Sequence, residues 1–578
     1  MFTKWKREMK NILLVAAALV ICLLGQLTNI SAQPKKEFTN PILAGFYPDP
    51  SICKIGDDYY IVNSTFAYFP GIPVFHSKDL VHWKLIGHVL DRPEEWNLDN
   101  FGVSRAIFAP TIRYNNGTFY VTCTLVDGGG NFIATAKDPA GPWSKPIAMR
   151  EIDGIDPSLF FDDDGKAYIT YNGNAPDDKP LYDGHRTIRI VEFNTGIMRV
   201  TSETKILING GVDFSKKPIW IEGPHIYKIN GMYYLTAAEG GTAEDHSQVI
   251  LRSDKVDGPY IPYKGNPILT QKNLDPKRKN PVTCTGHADF VQTDKGDWWA
   301  IFLGCRPYEP FDKNFYNTGR ETFLAPVKWQ DGWPIINPDF KEVQYHYPLP
   351  IQPVVDSVDI PYSGNFLLRD EFDKAELHPS WIFLRTPHEK WYDLSKKPGY
   401  LSINVRPETC SGKLNPSFIA RRQQHSNGYG ETSLLFNAKN ENEKAGLLIF
   451  QDETHFYYLC KSKKGIAETV ELYVSDTNLK ETGMKLLASK KLKDSDAGKE
   501  LILKIDTKEK YYGFYFGFEP GKLNLLKNKV DATILSIKKA WGFVGNVYAM
   551  YATSLGTACS NTAYYNWFEY KGDDKVYK

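Results

Sequence analysis

Short runs rich in aromatic and β-branched residues recur along the chain, each broken by a polar, glycine-containing turn. No long segment carries the apolar period of an amphipathic helix. Between residues 40 and 337 five of these runs share one order: a turn dipeptide, a short apolar strand, a polar turn, then an aromatic strand. Asp49-Pro50-Ser51 leads to Tyr59-Tyr60-Ile61-Val62, and Ala109-Pro110-Thr111 leads to Phe119-Tyr120-Val121. Asp156-Pro157-Ser158 leads to Tyr168-Ile169, and Gly223-Pro224-His225 to Tyr233-Tyr234-Leu235. The fifth, His287-Ala288-Asp289, lacks the proline and leads to Trp298-Trp299. Turns such as Asn116-Gly117, Asp164-Gly165, Asn230-Gly231 and Lys295-Gly296 make each a hairpin. A second hairpin trails several of them, as at Ser77 through Trp83, Asp138 through Trp143 and Ser253 through Tyr260. A four-stranded unit repeated five times, roughly 50 to 70 residues apart, predicts the blades of a β-propeller. Equivalent positions of successive blades lie on a ring, so Asp49, Asp156, Glu222 and His287 are expected to converge at one mouth of the central channel.

The repeat stops after Asn337, and Pro348, Pro350, Pro353 and Pro361 punctuate an extended connector. Short aromatic strands then resume, among them Trp381-Ile382-Phe383-Leu384, Leu447-Leu448-Ile449-Phe450, Tyr511 to Phe516 and Tyr564 to Tyr570. They predict a separate β-sandwich. The expected fold class is therefore all-β: a five-bladed β-propeller over residues 37–345, a linker over 346–365, and a β-sandwich over 366–578.

The N-terminus departs from this pattern. Lys4, Lys6, Arg7 and Lys10 precede an apolar run from Ile12 to Leu24, followed by Ser31-Ala32-Gln33. That run is shorter than the roughly 20 residues needed to cross a bilayer. The order basic, apolar, small is that of a secretory signal peptide over residues 1–32, cut after Ala32. An exported protein, periplasmic or secreted, is expected, with no membrane span. Ile21 stands before Cys22 where a lipoprotein would carry a small residue, which argues against a lipid anchor.

Composition narrows the function classes. With 69 basic and 68 acidic residues the formal charge is +1, so the basic footprint of a nucleic-acid binder is missing. Aromatics reach 14%, which suits β-strands and also sugar-stacking surfaces. Past Cys22 an odd number of cysteines remains, none paired at metal-ligand spacing. Buried thiols are the expectation. No cofactor is called for; a structural Ca2+ would have Asp370, Glu371 and Asp373 as candidate acids.

Glycoside hydrolysis commonly needs two carboxyls flanking the bond, one a proton donor and the other a base or nucleophile. Three acids at blade starts, Asp49, Asp156 and Glu222, supply such a set, although Asp-Pro is also an ordinary turn signal. The motifs that hold them are Tyr47-Pro48-Asp49-Pro50-Ser51, Ile107-Phe108-Ala109-Pro110, Ile155-Asp156-Pro157-Ser158-Leu159-Phe160, Ile221-Glu222-Gly223-Pro224-His225 and Gly286-His287-Ala288. In this order they resemble the successive blade motifs of glycoside hydrolase family 43, five-bladed propellers acting on arabinose- and xylose-containing polysaccharides. Asp370-Glu371-Phe372-Asp373, Phe418-Ile419-Ala420-Arg421-Arg422-Gln423 and Ala445-Gly446-Leu447 resemble the concanavalin-like, jelly-roll sandwich of that family's β-xylosidases.

The resemblance implies that Asp49 is the general base, Glu222 the general acid, and Asp156 the group that raises the pKa of Glu222 and orients it. It places His287 beneath the sugar, Arg320 on sugar hydroxyls, and a loop of the sandwich against one side of the pocket. Phe66, Tyr68 and Phe108 are candidate pocket walls. The expected substrate is a plant polysaccharide or its oligosaccharides. Ile221-Glu222-Gly223 differs from the Thr-Glu-Ala of dedicated β-xylosidases, and Tyr171-Asn172-Gly173-Asn174 stands where those enzymes carry a longer, Trp-containing insert. Both differences lean towards an α-L-arabinofuranosidase. The sandwich loop implies exo action, and the placing of Asp49 and Glu222 on the first and fourth blades favours the wide carboxyl gap of an inverting mechanism. The alternatives are a β-D-xylosidase on the same scaffold and a non-catalytic carbohydrate-binding propeller.

Overall fold

The computed structural model describes residues 37–353, 360–479 and 483–578. The expected signal peptide lies outside them. Five antiparallel sheets follow one another, of four, five, five, five and four strands. Their innermost strands are Ser51–Ile55, Thr111–Asn115, Ile155–Phe161, Glu222–Ile229 and Thr283–Gln292. Each packs against the next and the fifth against the first, so the sheets form the closed ring of a five-bladed propeller. The hairpin turns have the backbone that Asn-Gly favours. Asn116 and Gly117 have φ of 47° and 74°, and Asn230 and Gly231 have 52° and 79°, positive at both positions as a tight two-residue turn requires.

The ring is sealed by a segment that precedes the first blade. Asn40 Nδ2 donates to the Leu324 carbonyl at 2.8 Å while its Oδ1 accepts from Leu324 N at 2.9 Å. Leu43 pairs with Thr322, and Tyr47 N donates to the Arg320 carbonyl at 3.1 Å. Blade five is thus fastened to the start of the chain.

The turn dipeptides prove to be more than turns. Pro157 and Pro224 lie inside the innermost strands, at bulges between Ile155 and Ser158 and between Glu222 and His225. A strand tolerates proline there because the bulge needs no ladder N–H. Beneath the channel mouth every blade contributes to one polar cluster. Asp289 accepts from Ser51 Oγ at 2.7 Å, from Arg113 Nη1 at 2.9 Å and from Tyr227 Oη. Ser158 Oγ and Arg113 Nη2 meet His225 Nδ1 at 2.8 Å and 3.1 Å. Asp289 is buried, yet Arg113, His225 and Tyr227 hold its carboxyl well below the ordinary range.

The second half is a sandwich of two eight-stranded sheets, the concanavalin-like arrangement. One sheet takes its edge strand, Tyr68–Phe69, from the first blade, paired with Ile382–Leu384. The connector is packed rather than loose in its described part. Ile360 and Tyr362 are buried, Ala44 N donates to the Tyr362 carbonyl at 2.8 Å, and Phe75 meets the Tyr362 ring at 5.1 Å. Buried charges cross between the two halves. Arg306 pairs with Glu321 at 2.6 Å and with Asp574 at 3.0 Å, and Arg422 lies over Phe46 and Tyr47. Among the described residues no helix is long and apolar enough to cross a membrane.

Candidate active site

The strand starts aim side chains into the channel mouth, at bulges in blades three, four and five. Asp49, Asp156 and His287 have φ of 52°, 57° and 54°, the left-handed region that Asp and His enter more readily than most residues. In blade four Gly223 takes that conformation instead, at φ 56°, and Glu222 precedes it. A Cβ on Gly223 would come within 2.8 Å of the His287 ring, so glycine is required both for the backbone and for the space.

Asp49, Asp156, Glu222 and His287 line one pocket of about 380 Å³, together with Phe66, Arg105, Phe108, Ile155, Ile219, Trp220, Arg320 and Phe543. Asp49, Asp156, Glu222, His287 and Arg320 are all buried. Asp49 accepts from Ser64 Oγ at 2.6 Å, lies 3.2 Å from Arg320 Nη1 and 4.0 Å from His287 Nδ1. Burial alone would raise its pKa, but Arg320, His287 and Ser64 together outweigh it and hold the carboxyl below the ordinary value. Asp156 has one backbone donor, Gly223 N at 3.1 Å. Burial and the Asp49 charge push it up to about 6, against His287, which lowers it. Glu222 is pushed well above the carboxylate range, by burial first and then by Asp156 and Asp49. One pocket therefore holds an ionised carboxylate and a carboxyl that keeps its proton, the division of labour that acid–base hydrolysis of an acetal demands.

Sequence reasoning placed Asp49, Asp156, Glu222, His287, Arg320, Phe66 and Phe108 at one site, and all seven line the pocket. Tyr68 is a correction. It has no exposure, pairs with Leu384 in the sandwich sheet and packs on Phe46 at 5.3 Å. The backbone explains it: Phe66 has φ of 53° and bridges Ile107, and a turn at Ala67 redirects the chain before the Tyr68–Phe69 strand enters the sandwich sheet.

Several lining residues escaped the sequence. Phe543, from the sandwich, stacks on Phe66 at 5.9 Å, meets Phe108 edge-on at 5.7 Å and lies under Arg320 at 5.1 Å. This is the sandwich loop that the resemblance implied, though nothing local marks the residue. Ile219 and Trp220 fall outside the repeated pattern. Asn172 donates through Nδ2 to the Ile221 carbonyl and accepts from Arg186 Nη2 at 2.6 Å, bracing the strand that carries Glu222.

Among the described residues no group of three or more His, Cys, Asp or Glu side chains is gathered as a metal site. Asp370 is taken up by Phe372 N and Trp381 Nε1, each at 2.9 Å, and Glu371 by Arg369 at 2.6 Å.

Comparison with known proteins agrees with this geometry. Residues 38–334 match the model of glycosyl hydrolases family 43, and residues 369–571 match the β-xylosidase C-terminal concanavalin A-like domain. A xylosidase/arabinosidase of Butyrivibrio fibrisolvens is 38% identical over 92% of this chain and 98% of its own. A non-reducing end α-L-arabinofuranosidase of Bacteroides ovatus is 38% identical over 97% of this chain and 99% of its own. The solved structure of a family 43 protein from the Bacteroides ovatus xyloglucan PUL superposes with a TM-score of 0.82. It is 37% identical and covers 93% of this chain and all of that one, 100%. With its propeller, its sandwich and its three buried carboxyls, the chain belongs to glycosyl hydrolase family 43 and is a glycoside hydrolase.

Proposed function

We propose that this enzyme is an exo-acting, inverting hydrolase that releases non-reducing-end α-L-arabinofuranosyl residues from plant hemicellulose or its oligosaccharides. The observation that carries the reading is the meeting of Glu222 and Asp49 in one pocket, both buried, with Asp49 held by Ser64, Arg320 and His287. Glu222 donates its proton to the glycosidic oxygen as the bond from that oxygen to the anomeric carbon breaks. Asp49 accepts a proton from the water that attacks the anomeric carbon from the opposite face. The leaving sugar departs as an alcohol, and the released sugar gains a hydroxyl of opposite configuration. Asp156 keeps Glu222 protonated by like-charge repulsion until the substrate arrives. His287 and Arg320, beside Asp49, offer donors to the sugar hydroxyls. The Phe66, Phe108 and Phe543 rings cover one side of the pocket, which favours cutting at chain ends.

The Bacteroides ovatus relative supports the arabinofuranoside reading. A second reading, β-D-xylosidase, is favoured by the Butyrivibrio relative, which is named for both activities. Terminal α-L-arabinofuranose and β-D-xylopyranose present similar hydroxyls to the same acids. Assay on p-nitrophenyl α-L-arabinofuranoside and p-nitrophenyl β-D-xylopyranoside decides between them, and the first is expected to be the better substrate. Hydrolysis of neither would overturn both. Proton NMR of the first-formed sugar tests the stereochemistry, since release of the substrate's own anomer would make Asp49 a nucleophile. Export through residues 1–32 belongs to the same proposal, with Gln33 as the mature N-terminus.

A further inference from the structure

Ile219 and Trp220 are large apolar residues left in the open beside a buried carboxyl, at 53% and 36% exposure. Both line the pocket that holds the three acids, and Trp220 stands two residues before Glu222. Scattered exposed apolar residues need no explanation, but this pair is held out by its own backbone. Trp220 has φ of 57°, a region that a bulky residue enters only when its surroundings impose it. Trp220 N donates to the Gly184 carbonyl at 2.8 Å. The Ile219 carbonyl accepts from Gly240 N at 2.8 Å and Gly241 N at 3.1 Å. The Arg186 guanidinium lies over the indole at 4.7 Å and is itself fixed by Asn172 Oδ1. A tethered, strained turn that presents an indole next to the proton donor is arranged for a ligand rather than for packing.

We infer that the Ile219–Trp220 shelf is the leaving-group subsite, which takes the apolar face of the pyranosyl ring bearing the sugar to be released. The inference rests on Glu222 as the general acid. The acid protonates the glycosidic oxygen, so the ring on the far side of that oxygen lies beside Glu222, where Trp220 supplies the aromatic surface. A pyranose with equatorial hydroxyls, such as a β-linked xylosyl or glucosyl backbone unit, presents a face of axial C–H groups that stacks on an indole. An alkyl leaving group has no such face.

The test compares kcat/KM on arabinofuranosyl-xylobiose, whose leaving group is a pyranosyl ring, with kcat/KM on methyl α-L-arabinofuranoside, whose leaving group is not. Any change that Trp220 transmits through Glu222 affects both substrates and cancels in the ratio. Trp220→Ala should lower the ratio about fivefold to tenfold, the size of an aromatic stacking contribution. Trp220→Phe, which keeps a ring and loses the N–H, should restore most of it. An unchanged ratio in Trp220→Ala would overturn the inference, whatever the absolute rates. Should the wild-type enzyme act on neither arabinoside, the arabinofuranosidase reading fails separately. Xylobiose and methyl β-D-xylopyranoside then give the same ratio test of the shelf.

Discussion

At the scale of single residues, the site works by giving chemically similar side chains different surroundings. Asp49 is pinned by Arg320, His287 and Ser64, whereas Asp156 has one backbone N–H and Glu222 sits against two other carboxyls. The active form needs Asp49 ionised and Glu222 protonated, so kcat/KM rises with pH through the Asp49 titration and falls through that of Glu222. Asp156→Asn removes one of the charges that raise Glu222. The alkaline limb should therefore move to lower pH, along with a drop in kcat, as a pH–rate profile would show. An alkaline limb that stayed in place would mean that Asp156 serves position alone. Glu222→Gln should cost about 10²–10⁴-fold in kcat on a substrate with an unactivated leaving group. Near-normal turnover would remove it from the acid's role. The carboxyls themselves were legible in the sequence because they recur at one register of the repeat. Their unequal pKa shifts were not, since Arg320 is 271 positions from Asp49 in a chain that only the ring brings together.

At the scale of the element, the innermost strand of each blade does two jobs from neighbouring positions. In blades three, four and five a bulged start lifts Asp156, Glu222 and His287 to the pocket, in blade one Asp49 stands just ahead of the strand, and the residues that follow reach down to the axis. Ser51, Ser158, His225 and Asp289 stand just past Asp49, Asp156, Gly223 and His287, and they lock the strands to one another. Asp289 is the hub. Asp289→Asn leaves the largely covered Arg113 without its counter-charge and should destabilise the protein by about 3 kcal/mol, measured by urea unfolding near neutral pH. The effect has a defined pH sense. The folded-state pKa of Asp289 lies below the unfolded value, so its stabilisation is present above the unfolded pKa and is lost as pH falls through the folded one. The difference between wild type and variant should therefore shrink on acidification. A difference that is constant with pH would show that shape, not charge, holds the axis. The repeat was visible as a row of X-Pro pairs. The bulges were not, because a proline that starts a strand and one that kinks it have the same neighbours in sequence, and only the partner strand's register separates them.

At the scale of the whole molecule, the two halves make one catalytic unit. Phe543 covers the pocket from the sandwich, Tyr68–Phe69 crosses into the sandwich sheet, and Arg306 ties Glu321 of the propeller to Asp574 near the C-terminus. Deleting residues from Phe366 onward should sharply lower activity or soluble yield, for it uncovers the Phe66 and Phe108 rings and strands Arg306 with half its partners. A soluble, fully active propeller would reduce the sandwich to an independent binding module. The two-part architecture could be read from the sequence because the strand pattern changes after Asn337. That a sandwich loop meets the pocket was implied by the family resemblance, but the residues that make the docking were not legible, because Phe543 and Arg306 sit in strings that look like any other loop or strand. The seal of the ring carries one last consequence, in time rather than space. Residues 40–47 are synthesised first and must wait for residues 320–324 before blade five can close on blade one, and Phe543 arrives later still. Until then His287 and Arg320 have no fixed place against Asp49. A growing chain, or one threaded unfolded through a membrane, thus carries no assembled site, and activity is expected to appear only once the sandwich has docked.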